Sequence, residues 1–144
     1  MQDCGECTLC CKLLELHEVP SPIETYCRHC EPGIGCKIYK IRPEECRQFQ
    51  CMWSQMERVG TELRPDKCHI IFSRAGDDVI SARIEKNHKL SKLVVNQIKV
   101  FNKEGFSVLV FRGQTSICFL TKGHTEDYAR KIVDGRSKLY RRSN

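Results

Sequence analysis

The chain has 144 residues, 40% of them apolar and 29% charged, which suits a folded globular protein and excludes wholesale disorder. No apolar run approaches the roughly 20 residues that cross a bilayer, and the N-terminal "MQDCGEC" lacks the basic region of a signal peptide, so the expected setting is the cytoplasm. The formal charge of +6 is unevenly spread: residues 1–53 hold six Lys/Arg against eight Asp/Glu, residues 54–144 eighteen against ten.

In chain order, "CGECTLCC" (residues 4–11) opens with a tight turn and runs into a helix through "CCKLLEL", which would put Cys4, Cys7 and Cys11 on one face with Cys10 beside it. "HEVPSPIETY" reads as a loop, and "CRHCEPGIGCKIYKI" as a turn with Pro32, Gly33 and Gly35 between thiols. "RPEECRQFQC" starts a helix, with Pro43 at its first position and Glu44 and Glu45 in its first turn. Cys46 and Cys51 would then point apart unless the helix stops between them or each serves a different metal.

From residue 69 the pattern changes. "HIIFSR" and "VISARI" flank "AGDD" as a hairpin, and Leu90, Leu93, Val94, Ile98 and Phe101 follow helical period up to Gly105. "FSVLVFR" and "SICFLTK" flank "GQT" as a second hairpin, and "HTEDYARKIVDGRSKLYRR" forms a last helix with Thr125 as N-cap. The expected fold is α+β: a cysteine-rich region of short helices and loops over residues 1–68, then a small ββαββα unit over 69–144, with both helices on one face of an antiparallel sheet.

Nine of the eleven cysteines lie in the first 51 residues. Reducing cytoplasmic conditions disfavour disulfides, and an odd count leaves one thiol unpaired. Thiolate is a preferred ligand of zinc and of iron–sulfur clusters, and two-residue spacers let neighbouring sulfurs converge. Cys4/Cys7, Cys7/Cys10 and Cys27/Cys30 all have that spacing, with further thiols at Cys36, Cys46 and Cys51. The run C-x2-C-x2-C resembles the one that holds three corners of a [4Fe–4S] cluster in bacterial ferredoxins, although Cys11 follows at once where the ferredoxin run spaces its next cysteine. Separated pairs such as Cys4/Cys7 with Cys27/Cys30 or Cys36/Cys46 would suit zinc equally. Eight thiolates on two divalent metals would cancel part of the chain's basicity.

The pieces "CGECTLCC" and "CEPGIGCKIYKIRPEECRQFQC" together resemble the YkgJ-type CxxCxxCC cysteine-cluster family, labelled zinc- or iron-chelating. The resemblance covers residues 4–51 and implies that Cys4, Cys7, Cys10, Cys11, Cys30, Cys36 and Cys46 form a metal site, with Cys51 fitting an extension of the pattern and Cys27 outside it. A flagellin methylase with a related motif is described with an iron–sulfur cluster, which implies iron ahead of zinc.

Other residues carry weaker readings. His17, His29 and His69 are either nitrogen ligands or solvated loop residues, and the second reading is preferred because the cysteines suffice. Arg42 and Arg47 either hydrogen-bond the sulfurs or sit on the surface at a helix start. Cys68 reads as a half-buried hydrophobe and Cys118 as core, while Phe49 and Trp53 pack around the site. The tail "RKIVDGRSKLYRR" carries six basic residues against one acid, better explained as a solvated helix face than as a phosphate-binding patch. The expected function is metal binding, with an iron–sulfur redox or group-transfer enzyme, or a zinc-stabilised adaptor touching nucleic acid or an acidic protein, as alternatives.

Overall fold

A computed structural model describes residues 3–22, 24–57 and 59–143, with side chains described as far as residue 136. The architecture is α+β, built on one four-stranded sheet and one two-stranded ladder. Strands β3 (Ile70–Arg74), β4 (Val79–Ile84), β5 (Ser107–Arg112) and β6 (Thr115–Phe119) lie side by side in that order. Helix α5 (Lys92–Lys103) links β4 to β5, and α6 (Glu126–Ser143) follows β6.

The sheet is mixed, which corrects the expectation of an antiparallel one. β3/β4 and β5/β6 are antiparallel hairpins, but β4 and β5 run parallel, with Ile80 opposite Val108 and Ala82 opposite Val110. The physical reason is the connection: a helix carries the chain back to the end where β4 began, so β5 must start in the same direction.

The helices also cover opposite faces, not one. Val94, Ile98 and Phe101 of α5 pack on Ile80, Ala82, Ile84, Val108 and Val110, while Ala129 of α6 packs on Val79 and Leu109. Neighbouring strand residues point to opposite sides, so Val79/Ile80 and Val108/Leu109 each divide between the two layers. Both helix starts are capped by hydroxyls, Ser91 Oγ accepting the Val94 amide at 3.2 Å and Thr125 Oγ1 the Tyr128 amide at 3.2 Å.

The cysteine-rich segment covers the β3 edge. Ile71, between Ile70 and Phe72 on β3, faces the α6 side and packs with Leu9 and Leu13, with Cys7, Cys10, Phe49 and Cys51 around them. Met52 and Met56 pack from the other side against the α5 layer. Covering an edge strand removes a row of unpaired backbone groups from solvent, and here it seats the thiol-bearing loops on a rigid support. No helix among the described residues is long and apolar enough to cross a membrane.

Candidate metal centre

The N-terminal turn is set by Gly5, whose φ of +55° lies in the left-handed region, and is closed by the Cys7 amide on the Cys4 carbonyl at 3.0 Å. Helix α1 spans only Cys10–Leu13. Cys4 and Cys7 therefore precede the helix and do not share a helical face with Cys11, contrary to expectation. The turn wins because a glycine in the left-handed region cannot continue a right-handed helix.

The next thiols come from a miniature hairpin. β1 (Cys30–Glu31) and β2 (Gly35–Cys36) pair with Cys30 directly opposite Cys36, and Gly33 turns the chain at φ +75°. The hairpin is tied to the N-terminal turn by the Gly33 amide on Thr8 Oγ1 at 3.0 Å and by the Cys27 amide on the Cys11 carbonyl at 2.9 Å. The His29 amide donates to Cys27 Sγ at 3.4 Å.

Helix α2 (Glu44–Gln48) stops before Cys51, which instead precedes α3 (Met52–Gln55). That break lets Cys46 and Cys51 reach the same region from different directions. Glu45 anchors α2: its buried carboxylate accepts the amides of His17 at 2.8 Å and Glu18 at 2.9 Å and contacts His17 Nδ1 at 3.1 Å. Burial pushes the Glu45 carboxyl up, but these bonds together hold it below its ordinary value.

These elements enclose a cavity of about 460 Å³ whose wall includes Cys4, Cys10, Cys11, Cys27, Cys30, Cys36, Cys46 and Cys51. Of the eight thiols singled out from sequence, only Cys7 lies off that wall, packed beside Cys10 and Cys51 against Leu9, Leu13 and Ile71. Comparison with protein-family models, curated proteins and solved structures gives no match. The site is therefore read from its own chemistry.

Cys11, Cys30, Cys46 and Cys51 are costly to ionise where they stand. A hydrogen bond shared with Cys10, then burial, pushes Cys11 far up, and burial carries Cys30 to about 12. Burial and the neighbouring thiols Cys11, Cys27 and Cys36 put Cys46 at about 11. Burial puts Cys51 at about 11 as well, although the amides of Ser54 and Trp53 pull it back. With no cation beside them these groups stay neutral thiols near pH 7.

Two neighbours were not legible beforehand. Arg64 forms a two-pronged pair with Asp66 at 2.6 and 2.7 Å; burial and then Asp3 push the Cys4 thiol up, and the Arg64 charge offsets only part of that rise. Thr8, buried between Cys7 and Leu9, hydrogen-bonds the Cys30 thiol as well as the hairpin amide. A lone threonine in a cysteine run carries no signal of its own.

Arg42 lies on the cavity wall, but the hydrogen bonds of both Arg42 and Arg47 go to backbone carbonyls. Arg42 donates to the Tyr39 carbonyl at 2.9 Å and stacks on its ring, and Arg47 donates to the carbonyls of Arg42 and Lys40 at 3.1 and 3.2 Å. Cys68 is core, its thiol facing the Leu63 and Ile70 carbonyls, and Cys118 packs at the margin of the α6 layer. Trp53 is buried with its indole N–H on the Gly60 carbonyl, Phe49 lines the cavity, and so does His29. In the basic tail, Arg130 and Lys131 pair with Glu126 and Asp127, and the side chains of Lys138, Arg141 and Arg142 lie outside the described residues.

Two further polar groupings resemble sites. His69, Glu85 and His88 bring ligand atoms within 4.8 Å of one another. The two imidazoles, however, stack at 3.6 Å and 14°, so their in-plane lone pairs run side by side, and Lys12 Nζ already sits on Glu85 Oε2 at 2.7 Å. Ser107, His124 and Asp78 form a hydrogen-bonded chain of 2.7 and 3.1 Å. Ser107 has no exposed surface and its Oγ also accepts the Thr121 amide, so the chain fastens β5 to the turn before α6.

Proposed function

We propose that this chain is a metal-binding protein whose cysteine-lined cavity holds an iron–sulfur cluster or zinc, with the cluster favoured. One observation carries the reading: thiols from separate stretches of sequence, 4–11, 27–36, 46 and 51, line a single cavity. Ordinary core cysteines have no reason to collect on one wall. The motif resemblance over residues 4–51 points the same way.

Spacing supports iron–sulfur over zinc. Four thiolates on one zinc, each about 2.3 Å from the metal, stand about 3.8 Å apart. Among the described residues, no three thiols have their sulfurs within 4.8 Å of one another. A cluster with iron and sulfide inside it holds its thiolates farther apart and fills more of a cavity of about 460 Å³. The amide donor to Cys27 Sγ is the kind of contact that tunes such a centre.

Anaerobic purification followed by iron, zinc and acid-labile sulfide analysis tests this. A brown protein with stoichiometric iron and sulfide is expected; colourless protein with stoichiometric zinc would replace the cluster with zinc. Protein with neither metal would refute the proposal.

A further inference from the structure

The two faces of the four-stranded sheet are not equally apolar. Ile80, Ala82 and Ile84 of β4 all enter the α5 layer, whereas the alternate residues Val79, Ser81 and Arg83 fall on the α6 face. Ser73 on β3 lies directly opposite Ser81, and Arg83 stands in register between Ile71 and Phe111. Two hydroxyls and a guanidinium thus interrupt a face otherwise built from Ile71, Val79, Leu109 and Phe111. There α6 and the cysteine-rich segment leave a cavity of about 190 Å³. The sheet contributes Ser73, Ser81 and Arg83 to it, and the covering segments contribute Leu16, Phe49 and Val133. Leu16 and Phe49 also line the thiol cavity, so they form the partition between the two.

Arg83 is half-buried, and among the described residues its guanidinium makes no ion pair or hydrogen bond; it lies over the Phe111 ring, 5.6 Å from the centroid. Ser73 Oγ donates to the Ser81 carbonyl at 3.4 Å, while Ser81 Oγ donates to no group among the described residues. An unmatched cation in a half-buried position costs free energy that a bound anion recovers. We infer that this cavity binds a small organic monocarboxylate, its carboxylate on Arg83 and Ser81 and its apolar body against Leu16, Phe49 and Val133. The site stands on the sheet face and not on the metal-binding reading. A single negative charge is what the wall matches. Glu45 also lines the cavity, but the His17 and Glu18 amides and His17 Nδ1 already meet its charge. Glu15 and Arg136, the other charged groups on the wall, are opposite in sign. Arg83 can take a carboxylate through two parallel hydrogen bonds, whereas the second charge of a phosphate would face Glu45. Size fits as well: a cavity of roughly 150 Å³ takes benzene, so about 190 Å³ suits an aryl or branched aliphatic acid. The recess of about 30 Å³ that shares Leu14, Glu15 and Arg83 with it holds no more than a few waters.

The test is calorimetric titration of the anaerobically purified full chain with benzoate, phenylacetate and isovalerate, beside the matching amides and inorganic phosphate. At least one acid is expected to bind, and its amide and phosphate to bind roughly 10–100-fold more weakly. Arg83→Gln should weaken the best acid to a similar degree. Arg74→Gln, whose guanidinium lies over Phe106 on the other face, should leave it unchanged. Phenylglyoxal modification of the wild type, mapped by mass spectrometry, locates the site even if Arg83→Gln fails to fold, because bound acid should shield Arg83. Failure of all three acids to bind, or an amide that binds as tightly as its acid, would overturn the proposal. So would preferential binding of phosphate, or an Arg83 that stays equally reactive under saturating acid.

Discussion

Cys30 stands opposite Cys36 across a ladder only two residues long, and the bend that brings them together depends on Gly33 at φ +75°. A side chain there costs about 1–2 kcal/mol in the left-handed region. Gly33→Val is therefore expected to weaken metal retention several-fold against a competing chelator. The thermal unfolding of the four-stranded sheet should change little, because no residue of the turn enters either of its two core layers.

Cys68 provides the opposite contrast. It sits in the α5 layer with its thiol between two carbonyls, away from the cavity. Cys68→Ala should cost on the order of 1 kcal/mol, the scale of a small buried group with a weak hydrogen bond, and leave metal content unchanged. Denaturation midpoints and metal analysis on the same preparation check both halves.

Metal removal should act locally. The sheet layers are filled by side chains of residues 68–129 and partly buried neighbours, whereas the cysteine loops contribute only short helices and a small cluster around Leu9 and Leu13. Chelation is expected to raise amide hydrogen exchange across residues 3–55 while β4, β5 and α5 stay protected. Global loss of protection would mean that the metal staples the whole fold.

Glu85 supplies a pH dependence. Burial raises its carboxyl, but Lys12 at 2.7 Å and His69 at 3.0 Å outweigh it and hold the folded value below the ordinary 4.5. A carboxylate depressed on folding stabilises above the unfolded value and loses that contribution as pH falls through the folded one. Stability should therefore decline below about pH 4.5. Glu85→Gln should lower it at neutral pH by about 1–3 kcal/mol and show a shallower acid decline, read from urea midpoints between pH 7 and pH 3.

The elements from residue 69 on were legible because each carries its own signal: alternation in "VISARI", helical spacing from Val94 to Phe101, the hydroxyl at Thr125. Strand direction was not, because side-chain alternation is the same in parallel and antiparallel pairs. Nor was the assignment of α5 and α6 to opposite faces, which depends on how the strands pair. The cysteine spacing pointed to Cys4, Cys7, Cys10, Cys27, Cys30, Cys36, Cys46 and Cys51, all on the cavity wall except Cys7, whereas the family pattern took in Cys11 and left Cys27 out. What spacing could not show is the contact that seats Cys27, its amide on the Cys11 carbonyl, which is made only in three dimensions.

The central claim is that bound metal sits among these sulfurs. Anomalous diffraction at the iron and zinc absorption edges, from crystals grown without oxygen, tests it most directly. The account predicts strong anomalous peaks inside the cavity, among the sulfurs of Cys4, Cys10, Cys11, Cys27, Cys30, Cys36, Cys46 and Cys51. An empty cavity in protein handled anaerobically throughout, or a peak seated instead at His69, Glu85 and His88, would contradict it.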